Sequence, residues 1–206
     1  MRKGLVMLLA GTVATPTLAR AQRSLEIEPV VGAYSPRGSY VHSGSFYFVG
    51  TPDSPRDNAG TAYGVNARLW LTRSIGIQLQ EMSSTADHPT VFTPGGGAVA
   101  TTTKVRALTA QALFRPTLPT RARLWLSAGE GTIRHSGSAY TPFGSPSQRT
   151  IALGAGATIP LWRGLSAAAG VDDLIYDWTL TDQVGPYQSG SQSDVVARVG
   201  LSLTIR

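Results

Sequence analysis

From residue 25 onward, apolar side chains return at every second position in one stretch after another. Leu25, Ile27, Val31 and Ala33 open the series, followed by Tyr63, Val65, Ala67, Leu69 and Leu71, and then Ile75, Ile77 and Leu79. Next come Leu108, Ala110, Ala112 and Phe114, then Leu124, Leu126 and Ala128, then Ile151, Leu153, Ala155, Ala157 and Ile159. Leu165, Ala167, Ala169 and Val171 form the seventh stretch, and the alternation from Val195 to Ile205 is the eighth. A period of two puts alternate side chains on opposite faces of a strand. The pattern predicts eight strands of roughly ten residues, an even number. Between the apolar positions stand Gly, Ser, Thr, Gln and Arg, poor material for a dry core but suited to the interior of a narrow barrel.

The connections alternate in length. Thr72-Arg73-Ser74, residues 116–120 and residues 160–164 are short, whereas residues 35–60, 84–101, 134–147 and 181–193 are long and rich in Gly, Ser, Pro and Thr. An up-and-down transmembrane barrel has this arrangement, with tight turns at one end and long loops at the other. A closed sheet also pairs every backbone N–H and C=O internally, as a hydrocarbon environment demands. The predicted fold class is therefore all-β, an eight-stranded antiparallel up-and-down transmembrane β-barrel. Trp70, Trp125, Trp162 and Phe114 lie beside the short turns, and Tyr176 and Trp178 near the loop end, as interfacial aromatics would. Residues 151–171 are nearly uncharged over the length of a membrane helix, but Pro160, Arg163 and several glycines favour a hairpin of two strands.

Composition narrows the setting. The chain has 206 residues, 15% of them charged, against about 25% in ordinary soluble domains. It has no cysteine, which excludes disulfides, thiolate metal sites and a cysteine nucleophile. Met1-Arg2-Lys3 followed by the apolar residues 4–14, Pro16 and Ala19-Arg20-Ala21 reads as an export leader. Residues 1–21 are expected to be removed after Ala21, leaving 22–206 as one barrel domain. Arg2, Lys3 and Arg20 lie in that leader, so the net charge of +6 falls to +3 and gives no case for nucleic acid.

Parity assigns Glu26, Glu28, Arg68, Arg123 and Arg198 to the interior. The first strand neighbours the second and, on closure, the eighth, so Glu26 or Glu28 is expected to pair with Arg68 or Arg198. Other chemistry is thin. His42, His88 and His135 fall in predicted loops, where His42 or His135 beside a serine is a general-base arrangement, but no spacing supplies an orienting carboxylate. The three histidines lack metal-ligand spacing, so no metal is expected, and no cofactor either. Gly129-Glu130-Gly131-Thr132 and Gly95-Gly96-Gly97 lack the remainder of a phosphate loop. Asp172 and Asp173 are adjacent on a strand and face opposite sides; the pair is read as the point where the seventh strand leaves the apolar zone. An internal echo joins His42-Ser-Gly-Ser45 to His135-Ser-Gly-Ser138, and residues 64–77 to 154–167, as duplication of a four-stranded half would.

With its leader, the segments GVNARLWLTRSIGIQLQ and LTAQALFRPTLPTRARLWLSAGEG and the terminal VVARVGLSLTI, the chain resembles the small outer-membrane barrels of the OmpA/OmpX-like class. That resemblance implies a monomer in the Gram-negative outer membrane, exported through the Sec pathway and inserted by the barrel-assembly machinery. It implies a structural or surface-interaction role with outer-membrane lipids as neighbours, and it carries over no catalytic residues. The chain departs from the class in ending Leu203-Thr204-Ile205-Arg206 where an aromatic residue is usual. Three alternatives stand beside this reading: a lipid-modifying enzyme acting at the outer rim, a soluble exported ligand-binding barrel, and a narrow channel.

Overall fold

The computed structural model describes residues 24–37, 60–92, 98–137, 147–182 and 185–205. Eight strands follow one another: β1 (Ser24–Pro36), β2 (Gly60–Trp70), β3 (Ile75–Phe92), β4 (Ala98–Phe114), β5 (Arg123–Ser136), β6 (Ser147–Trp162), β7 (Leu165–Asp182) and β8 (Gly185–Ile205). Each pairs antiparallel with its sequence neighbour, and β8 returns to β1 to close the barrel. The closing seam runs from Leu25 opposite Ile205 to Pro36 opposite Asp194, so the sheet has no open edge. No described helix is long and apolar enough to cross a membrane. Residues 151–171 form the β6–β7 hairpin, turning at Arg163-Gly164, where Gly164 takes a φ of 74° that L side chains rarely adopt.

The alternation read from the sequence is the alternation of the barrel's two faces. Inward positions such as Asn66, Arg68, Gln78, Ile133 and Val196 are fully buried, whereas Leu79, Leu108, Leu126, Ile151 and Leu203 on the outer face are each more than half exposed. The exposed apolar rows line up around the wall into a belt. On β6 it runs from Ile151 to Ile159 and on β8 from Val195 to Ile205, about 20–25 Å of height for tilted strands. Towards the long loops the belt ends abruptly in charge: Glu81 on β3, Arg106 on β4, Glu130 on β5, Arg149 on β6 and Asp173 on β7. Glu81 pairs with Arg106 and Glu130 with Arg149 across neighbouring strands.

Three expectations need correction. The strands run to as many as 21 residues, and most of the predicted second and fourth long loops is strand, β3 pairing with β4 out to Phe92 opposite Ala98. Ladder hydrogen bonds need no apolar side chains, so pairing continues through Ser, Thr and Asp after the oily alternation stops. His88 and His135 accordingly lie in strands β3 and β5 rather than in loops. Finally, Trp70, Trp125 and Tyr176 point into the barrel and are buried, so they are not interfacial aromatics; Phe114 and Trp162 do face outward beside the turns. His42, the glycines at 95–97 and most of the first long loop lie outside the described residues.

Candidate functional site in the barrel lumen

Reading the inward positions from the turn end upward gives four layers. The lowest contains Trp70 and Trp125, Leu113, Glu26 and Arg115. Arg115 stacks on the Trp70 ring, 3.6 Å from its centroid, and donates from Nη2 to Glu26 Oε1 at 3.2 Å. A cavity of about 370 Å³ opens here, lined among others by Glu26, Trp70, Arg73, Arg115 and Arg123. Arg123 thus stands at the mouth, exposed and outside every described ion pair.

The second layer is a connected set of charges. Glu28 accepts from Arg68 Nη1 at 2.5 Å, Asn66 Nδ2 at 3.0 Å and Arg198 Nη1 at 3.1 Å. Arg198 spans Asp172 with two parallel bonds, Nε to Oδ2 at 2.5 Å and Nη2 to Oδ1 at 3.2 Å. Gln80 Nε2 donates to Asp172 Oδ2, Gln111 donates to Gln80, and Arg68 Nε donates to Gln78. Both guanidinium groups also lie over the Trp125 ring, at 4.7 and 5.1 Å from its centroid. Room for that ring comes from inward glycines: a Cβ on Gly156 would fall 2.3 Å from Trp125 Cζ2. Across the two lower layers, Arg68, Arg115 and Arg198 balance Glu26, Glu28 and Asp172.

Above the charges lies an apolar layer of Ala62, Met82, Val105, Ala107, Ile133, Ala152, Leu174 and Val196. The top layer is polar again. Asp194 Oδ2 accepts from Tyr34 at 2.5 Å and Tyr176 at 2.9 Å, and His135 Nε2 sits 3.2 Å from the Tyr176 hydroxyl. His135 is therefore linked through the Tyr176 hydroxyl to Asp194 inside the wall, with 1% of its surface exposed. No group of three His, Asp or Glu side chains that would hold a metal occurs among the described residues.

Of the residues singled out from sequence parity, the structure brings Glu26, Glu28, Arg68 and Arg198 together and leaves Arg123 at the mouth. Sequence reasoning missed Asp172, Arg115, Gln78, Gln80 and Asn66 as partners. Parity alone could have found Asp172, because Gly170 and Leu174 flank it on the inward side.

No protein-family model and no curated protein matches the sequence. The fold, however, is shared with solved structures. The outer membrane protein OprG from Pseudomonas aeruginosa superposes with a TM-score of 0.58 at 14% identity, covering 89% of this chain and 96% of that one. Neisserial surface protein A gives 0.53 at 12% identity, with coverage of 88% and 96%. A major outer membrane protein from Thermus thermophilus gives 0.53 at 15% identity, with coverage of 89% and 99%. The chain has the fold of the small eight-stranded outer-membrane barrels.

Proposed function

We propose that this protein is an integral outer-membrane barrel with a structural or surface-interaction role, its turn end in the periplasm and its long loops outside. The observation that carries this reading is the exposed belt of Leu, Ile, Val and Ala around the whole wall. A soluble sandwich would bury that face against a second sheet and a soluble barrel would turn it inward, but here it points outward and none of the described residues covers it. A lipid bilayer supplies the missing contact, and the belt's height matches the roughly 25 Å apolar band of such barrels.

The lumen supports a role other than permeation. Its buried charges are paired, the gaps at Gly156 and Gly170 are filled by Trp125, and an apolar layer lies across it above the charges. A channel for ions or polar solutes needs a continuous wet path, and these layers interrupt it. His135 meets the Tyr176 hydroxyl inside the wall, and in this reading recognition falls to the outer surface and the loops.

The test is fractionation followed by reconstitution. The expressed protein should partition with outer membranes and resist extraction by carbonate. In phosphatidylcholine vesicles it should migrate as a compact band on unheated electrophoresis and carry no steady conductance. Recovery of the mature chain from the aqueous fraction without detergent would refute the membrane reading.

A further inference from the structure

Where the apolar belt ends on β4, β5 and β6, the outer wall carries Lys104, Arg106, Arg134 and Arg149, all exposed. Arg106 and Arg134 are register partners on adjacent strands, and Lys104 stands opposite Ser136 one outward step above them. Arg149 stands opposite Thr132, diagonal to Arg134. Side chains directly opposite on antiparallel strands have Cβ atoms about 5 Å apart, and like charges there destabilise the pair. Glu81 compensates Arg106 and Glu130 compensates Arg149, but no described carboxylate pairs with Lys104 or Arg134. Four cations against two carboxylates leave a net +2 on one flank. β7 at the same level instead presents Asp173, bound to Ser193, and Asp177.

The geometry points to a phosphate-binding site for lipid A, the anionic lipid of the outer leaflet, formed by Lys104, Arg106, Arg134 and Arg149 on the outside of β4–β6. This deepens the membrane reading and rests on it. A phosphomonoester lying between Arg106 and Arg134 turns a repulsive cross-strand pair into two charge-assisted contacts. Its height is also right: the acyl chains of the same molecule would run down the belt past Leu108 and Ile151, each one outward step below a cation, and past Ala128, which lies below Thr132 and Glu130 on β5. Arg can grip phosphate oxygens in a two-pronged fashion, and Lys104 adds a point charge from above. The residue contacts are all on the outer wall, so the paired charges of the lumen take no part.

The test uses the full mature chain refolded in zwitterionic detergent and titrated with bis-phosphorylated lipid A, followed by native mass spectrometry. The wild type should bind at least tenfold more tightly than it binds dephosphorylated lipid A, with affinity falling as salt rises. The K104Q/R134Q variant should lose at least tenfold, the charge-retaining K104R/R134K variant should recover most of that loss, and a turn-end R73Q/R163Q variant should bind as wild type does. Equal affinity for the two lipids, or an equal loss in the turn-end variant, would overturn the proposal. Insertion of each variant into phosphatidylcholine vesicles is scored in parallel. Failure of the wild type to insert counts against the membrane reading, whereas normal insertion without a preference for phosphate counts against this site alone.

Discussion

Arg198 is the side chain on which closure of the barrel turns. It sits on β8, the last strand, and reaches Glu28 on β1 and Asp172 on β7, so its bonds cross the seam between the chain's two ends. Its guanidinium and the Asp172 carboxylate are each 1% exposed, so solvent screening does little to weaken them. In R198M the guanidinium over Trp125 is lost and Asp172 keeps only the Gln80 bond, while Glu28 retains Arg68 and Asn66. Most of the penalty therefore falls on one uncompensated buried carboxylate, a loss of about 3–5 kcal/mol. D172N alone should also destabilise, since it leaves Arg198 with Glu28 as its single anionic partner. In the double variant R198M/D172N both charges are gone, and the remaining interior pairs stay balanced. Its loss should fall short of the summed single losses by at least about 2 kcal/mol. Equilibrium urea unfolding in vesicles, followed by tryptophan fluorescence, measures all three. The reasoning fails if R198M costs less than about 1 kcal/mol, or if the double variant loses the full sum.

Other expectations follow from the same geometry. Gly156→Val places a Cβ 2.3 Å from Trp125 and 2.5 Å from the Ala169 carbonyl oxygen, so overpacking should cost about 1–3 kcal/mol; a companion Trp125→Leu change should relieve part of the loss in the same unfolding assay. Leu79→Arg, in the outer belt, should cost about 2–4 kcal/mol for the vesicle-bound barrel, whereas Thr132→Arg, on the outer face beyond the belt's charged edge, should stay within about 1 kcal/mol. Tyr34→Phe removes a hydrogen bond to Asp194 and should lower stability by about 1–2 kcal/mol with the barrel still closed, a change visible in the urea midpoint but not in the compact electrophoretic band.

The apolar core of each strand, the side of it that is oily and the connections that are tight were legible in the sequence, whereas the extension of β3, β4, β7 and β8 beyond the oily alternation was not. A period of two is a local property, and it survives in a linear reading because each side chain's face depends only on its position along its own strand. Parity therefore placed Glu28, Arg68 and Arg198 on the inside before any neighbour was known. What it could not supply was height. The strands are tilted and staggered, so whether Arg198 stands level with Asp172 depends on the register of β7 against β8 and of β8 against β1, residues far apart in the chain. The same stagger decided that Trp125 would lie across Gly156 and Gly170 and beneath two guanidinium groups. It also brought His135 from a supposed loop to the Tyr176 hydroxyl. Register is a sum of pairings over the closed sheet, and closure fixes all eight at once; no single stretch of sequence carries that information.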